Sequence, residues 1–177
     1  MAPATTRPAW YAYDDGTGTR TPWGDLVTEV VPATLTSGAF RCLDVRVSSD
    51  LAHPDYVHHH CDEAFYVISG QFSMTVGEQQ LAGLDAGATV YVPRGLRRSL
   101  RSTSSTGRLL VIQTPGDEQD GVLAAPAQQP SGSAVSLAQA LAAGGIELIT
   151  THQSPPTAPS DTERGNSCSS AQQRYWH

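Results

Sequence analysis

Tyr56-Val57-His58-His59-His60-Cys61-Asp62-Glu63-Ala64-Phe65-Tyr66-Val67-Ile68-Ser69-Gly70 decides how the rest of the chain is read. Three of the six histidines stand here beside an acidic pair, and an apolar, β-rich run follows that closes on a glycine. Imidazole and carboxylate at this density are what metal coordination or proton transfer requires. A strand sends alternate side chains to opposite faces, so Tyr56, His58 and His60 share one side while Val57 and His59 take the other. With Val57 packed in a wall, the even-numbered set lines an interior. On the next strand Glu63 shares a face with Phe65 and Val67.

Outward from this stretch the period of two continues. Leu43, Val45 and Val47 alternate with Cys42, Asp44 and Arg46, the pattern of a half-buried strand, and Ser48 to Pro54 read as a turn. Strands are expected at about 55–60, 64–69, 72–77, 80–82, 89–92, 97–102 and 108–114, separated by turns such as Ser69-Gly70, Ala86-Gly87 and Pro93-Arg94-Gly95. Short strands at regular spacing predict an all-β, antiparallel jelly roll or barrel. No repeat of 20 to 50 residues is visible.

Glu63 to Gly70, with the histidines before them, resemble the first signature motif of the cupin superfamily, in which two histidines one residue apart precede a glutamate, a strand and a glycine. Gly87-Ala88-Thr89-Val90-Tyr91-Val92-Pro93-Arg94-Gly95 resembles the second motif, whose Pro-x-Gly turn leads, three residues after its glycine, to a further histidine ligand. The resemblance covers roughly residues 35 to 115 and is strongest to small quercetinase-like and polyketide-cyclase-like single-domain cupins. It implies a cupin barrel, frequently a homodimer, with flat phenolic or polyketide-like substrates as the first class to test. Aligned through Glu63, the second histidine of the pattern falls on His58, the first on Tyr56, and the last on Arg98. Two of the four usual metal ligands are therefore replaced.

Arg98 directs the functional reading. A guanidinium cannot deprotonate to become a ligand, and it repels a divalent cation at short range. Turned inward, it pairs with Glu63 or holds a developing anion. The expected catalytic set is then His58 as general base oriented by Glu63, Tyr56 as proton donor or relay, and Arg98 as the fixed positive charge, in a pocket walled by Phe65 and Val67 with His60 nearby. This is cofactor-free cyclisation, isomerisation or dehydration, chemistry of secondary metabolism. Turned outward beside Arg97 and Arg101, Arg98 leaves room for a second reading. His58, His60 and Glu63 then form a two-histidine, one-carboxylate triad for Fe, Mn, Ni or Zn and a quercetinase-type dioxygenase. A third reading is a non-catalytic small-molecule binding module. His53, His152 and His177 carry no spacing signal.

Composition narrows the partners. A formal charge of −6 in 177 residues, with no basic block, argues against nucleic acid or an anionic membrane. The three cysteines are scattered and suggest no disulfide framework. With no apolar run of about 18 residues and no leader-like start, a cytoplasmic protein acting on a small molecule is expected. The expected organisation is an N-terminal arm over 1–34 and a barrel over 35–115. A linker with a packed helix over 116–152 and a disordered tail over 153–177 complete it. The helix is read at Ser136–Ala143, stopped by Gly144-Gly145, with Leu137 and Leu141 on one face.

Overall fold

Two antiparallel sheets face each other across one apolar core. The computed structural model describes residues 18–48, 53–116 and 134–149. Its elements are β1 (Thr19–Arg20), β2 (Leu26–Val31), α1 (Ala33–Thr36), β3 (Arg41–Ser48), β4 (Asp55–His58), β5 (Asp62–Ser69) and β6 (Phe72–Val76). They continue with β7 (Gln79–Leu84), β8 (Thr89–Val92), β9 (Arg97–Ser102), β10 (Thr106–Thr114), α2 (Ala134–Ala143) and β11 (Ile146–Ile149). One sheet has the order β1-β2-β3-β10-β5-β8 and the other β11-β4-β9-β6-β7. The expected all-β jelly roll is what the chain forms.

The period of two explains the core. In the first sheet Leu43 and Val45 of β3 stand opposite Val111 and Leu109 of β10, which in turn oppose Phe65 and Val67 of β5. All six point inward and are buried. From the second sheet Phe72, Met74 and Leu100 meet them, completing a single cluster. Each such side chain fully buried stabilises the fold by about 1.5–3 kcal/mol. The sheets approach closely at Gly107, where a Cβ would lie 2.2 Å from the Phe72 ring. Gly70, the glycine closing the opening stretch, has φ 85° and leaves only 2.6 Å between a hypothetical Cβ and the Thr106 carbonyl. Both positions require the missing side chain.

Three features at the ends of the strands shape the site. β4 ends at His58, two residues before the expected end, because the chain bends at His59 and His60 before β5 starts. In the arm, β1 and β2 form a hairpin whose second strand pairs with β3, so the first sheet extends N-terminally beyond residue 35. On the C-terminal side, Ile146–Ile149 form an unforeseen strand paired with β4 in register Ile146↔His58 and Leu148↔Tyr56. Four residues after a helix and a glycine pair are too short a run to declare a period. Leu141 of α2 is fully buried, as expected of a helix packed on the wall. The linker from 117 to 133 and the tail from 153 lie outside the described residues.

Candidate functional site

The base of the interior is built by β4, β5, β9 and β10. β4 and β9 pair with Tyr56 opposite Arg98. Gly95 of the Pro93-Arg94-Gly95 turn donates its N–H to the His58 carbonyl at 2.8 Å, fixing where β9 begins. Arg98 therefore points inward and is 0 % exposed, which removes the outward alternative. Alternation sends Arg97 to the other face, where it pairs with Asp55.

Glu63 is the hub of this layer. Its Oε2 accepts from the Tyr56 hydroxyl at 3.0 Å and from Arg98 Nη1 at 2.7 Å, while its Oε1 accepts from Gln113 Nε2 at 2.9 Å. Arg98 also donates from Nε to the carbonyl of Leu96 at 3.3 Å and from Nη2 to that of Pro93 at 3.4 Å, and its Cζ lies 5.4 Å from the centre of the Tyr56 ring. A buried ion pair holds only when its other lone pairs and protons are met in this way. Gln113 was not anticipated. Its signal was available, because it continues the inward set Leu109, Val111 at the end of β10.

The histidine trio divides. His58 and Cys61 are 0 % and 1 % exposed, with His58 Nε2 at 3.2 Å from Cys61 Sγ and Nδ1 accepting the backbone N–H of His60 at 3.3 Å. Since Nδ1 accepts, the neutral ring carries its proton on Nε2, facing sulfur. His59 and His60 are exposed. His59 bonds Glu147 at 2.8 Å, and the His60 ring lies against the α2–β11 turn, where a Cβ on Gly145 would be 2.4 Å from it. The expected alignment of His60 with His58 fails because the bend ends the strand period between them. Cys61 takes the position beside His58 instead.

His58, Cys61 and Glu63 offer nitrogen, sulfur and oxygen donors all within 4.8 Å of one another, a set that suits a borderline-soft ion such as zinc. The Glu63 oxygen, however, already holds the Arg98 guanidinium at 2.7 Å. Like unit charges ~4 Å apart repel by about 4 kcal/mol at an effective dielectric of about 20, and a divalent ion doubles that. The cluster is a possible metal site by its donors, but its residues do not fit a divalent ion while Arg98 keeps its place.

Above this layer lies a cavity offering about 90 Å³ to water centres, several times the ~10–15 Å³ that one water needs. Tyr56, Glu63 and Gln113 form its polar floor; Leu43, Phe65, Leu100 and Val111 are among its apolar walls. His58 and Arg98 are sealed behind the floor and do not line the cavity, and Val67 belongs to the packed core.

The mouth is built by residues that sequence reasoning missed. Thr21 to Asp25 form the tight turn of the β1–β2 hairpin, with Thr21 N–H donating to the Asp25 carbonyl at 2.8 Å, Gly24 N–H donating to the Thr21 carbonyl at 2.9 Å, and Gly24 at φ 85°. This turn hangs Trp23 and Asp25 over the cavity, where His53 joins them. His53 Nε2 lies 3.0 Å from Asp25 Oδ2, and the His53 and Trp23 rings stack at 6.3 Å and 25°. The Pro22-Trp23-Gly24-Asp25 run signals a turn in the sequence, but nothing in it says that the turn reaches His53.

Two sheets of this order, with a glutamate on one central strand and a polar floor reached from the Pro-x-Gly turn, define a cupin-type barrel. Residues 46–113 match the family model of the Cupin domain. No curated protein matches the chain by sequence. Among solved structures, an RmlC-like cupin from Shewanella frigidimarina superposes with a TM-score of 0.53 at 14% identity, over 61% of this chain and 92% of that one. A variant of PAC13 from Streptomyces, solved with uridine, gives 0.50 at 15% identity over 63% and 87%. At such identities the likeness is one of fold.

Proposed function

We propose that this chain is a small-molecule enzyme that uses its cavity for metal-independent acid/base chemistry. The observation that carries the reading is the Arg98–Glu63 pair, which sets a permanent guanidinium under the floor at the position where the motif pattern has a histidine ligand. A charge fixed in advance stabilises a developing oxyanion without reorganising. Tyr56 is the group that transmits this charge to a ligand. Its hydroxyl is held by Glu63, its ring lies beside the guanidinium, and it lines the cavity. Tyr56 therefore donates or relays the proton by turning its hydroxyl from Glu63 to the ligand. The base role is better assigned elsewhere than to His58, which lies behind the floor against Cys61 and orders that layer.

The apolar walls favour flat, weakly polar molecules, and phenolic or polyketide-like compounds remain the class to test first. Cyclisation, isomerisation and dehydration of such compounds share an enolisation step that an acid and a fixed cation assist. The competing reading, a metal-dependent oxygenase, rests on the donors of His58, Cys61 and Glu63. Elemental analysis of the purified protein, followed by turnover of phenolic polyketones before and after exhaustive chelation, separates the two. Substoichiometric metal and chelator-insensitive turnover are expected. One equivalent of bound ion, with activity restored only by adding it back, would reverse the assignment.

A further inference from the structure

The mouth of the cavity holds a titratable pair that the floor does not use. His53 Nε2 lies 3.2 Å and 3.0 Å from the two Asp25 carboxylate oxygens. Their side chains are 11% and 4% exposed, and both residues line the cavity. A ring nitrogen facing a carboxylate carries the proton and donates it, so the neutral ring keeps its lone pair on Nδ1. Nδ1 has no hydrogen-bond partner among the described residues. A carboxylate that fixes the tautomer and compensates the charge of the protonated ring is the arrangement that makes imidazole an effective base. Trp23, stacked on the same ring, adds a flat aromatic surface to the cavity lining.

We infer that His53 is the general base of this cavity, that Asp25 is its positioning residue, and that the ligand is a planar molecule with an enolisable carbonyl, stacked along Trp23. The inference rests on the acid/base reading above and deepens it. Nδ1 removes a proton from the carbon next to the carbonyl. The C–H electron pair becomes the enolate double bond, the carbonyl π pair moves to oxygen, and the Tyr56 hydroxyl turns its one proton from Glu63 to donate to that oxygen. Return of the proton from the imidazolium to the same carbon restores the substrate, and return to another position gives an isomer. No electrons are gained or lost overall. The ionisable and charged groups facing His53 are Asp25 from the hairpin turn and, across the cavity, Tyr56 and Glu63, the latter already paired with Arg98.

The natural substrate is not needed for the test. The probe is 2-indanone, a planar ketone whose acidic C–H groups exchange in D2O and are followed by proton NMR. The full-length chain is expected to accelerate exchange above buffer. His53→Gln should remove that acceleration by about 10²–10⁴-fold, the range of general acid–base catalysis. Asp25→Asn should lose part of it, and Asp25→Glu should recover it, a rescue that a purely structural role would not produce. Wild-type exchange in His53→Gln, or none above buffer in the parent, overturns the inference. If His53→Gln exchanges normally while Tyr56→Phe does not, the acid/base reading of the floor survives and the base lies elsewhere; if neither variant changes the rate, both readings fall. Nitrogen NMR of the parent, with His53 assigned through its contact to Trp23, gives a check independent of variant folding. The neutral ring is expected to carry its proton on Nε2, and the opposite tautomer overturns the inference.

Discussion

The floor and the mouth of the cavity both hold an acid beside a base in an apolar barrel, and they do so in opposite ways. At the floor Glu63 faces Arg98, whose charge is permanent, and the side chains are 4% and 0% exposed. At the mouth Asp25 faces His53, whose imidazole can take up and release a proton, and the ring lines the cavity. A sealed permanent pair can position and stabilise but cannot exchange a proton; an accessible imidazole can. On the proposed reading the contrast is a division of labour: the strands of the motif fix the charge, His53 before β4 carries the proton, and the β1–β2 hairpin brings Asp25 to position it.

The contrast is broken most directly by removing one partner at each end. Arg98→Ala leaves Glu63 buried without its countercharge, a change that costs about 3–5 kcal/mol. Asp25→Asn keeps a hydrogen-bond acceptor beside His53 and should cost about 1 kcal/mol or less, the scale of one ordinary hydrogen bond. Urea unfolding of the two variants decides the matter. Equal losses would mean that the floor is no more tightly coupled to folding than the mouth.

Arg98→His sharpens the same comparison from the metal side. It removes the guanidinium and returns a fourth potential ligand beside His58, Cys61 and Glu63. The parent is expected to show no saturable binding of Co(II), and the variant to bind one equivalent with a thiolate-to-metal absorption band from Cys61. An equally strong band in the parent would show that Arg98 does not guard the cluster.

How much of this was legible follows from where each residue gets its position. Tyr56, Glu63 and Arg98 sit on strands whose period and turns are written in the sequence, so their convergence could be read once Val57 was assigned to the wall. The orientation of Arg98 depended on register, which the Gly95 to His58 hydrogen bond supplies and no local pattern announces. His60 was misplaced because strand periodicity was carried two residues past a bend, and that bend is what lets Cys61 rather than His60 approach His58. The mouth was illegible for a different reason. Asp25 and His53 are 28 residues apart and meet only because β2 pairs with β3 in one particular register. Neither carries a motif, and a lone histidine in a turn has no period.

The smallest effect comes from the turn that delivers Arg98. Its own arginine, Arg94, is half exposed and clasps Asp62 through Nε at 2.9 Å and through its own backbone N–H at 2.9 Å, joining the Pro93-Arg94-Gly95 turn to the start of β5. The Arg94 side-chain hydrogen bond, then the backbone one, hold the Asp62 carboxyl well below the ordinary carboxylate range. A carboxyl depressed in the folded state binds protons more readily once unfolded, so its stabilising contribution is complete above the unfolded value of about 3.9 and is lost as pH falls through that value and below. Asp62→Asn should therefore unfold at slightly lower urea than the parent near neutral pH, with the gap closing on acidification from about pH 5 towards 2. A gap that stays constant would assign the loss to turn geometry rather than charge. Asp62→Asn should leave Arg98 buried and the chelator response unchanged, because screening in an exposed pair keeps its contribution small. Arg94 in the turn and Arg98 on the strand that follows thus test the same point: burial, not the presence of a carboxylate partner, decides whether a guanidinium holds the barrel together.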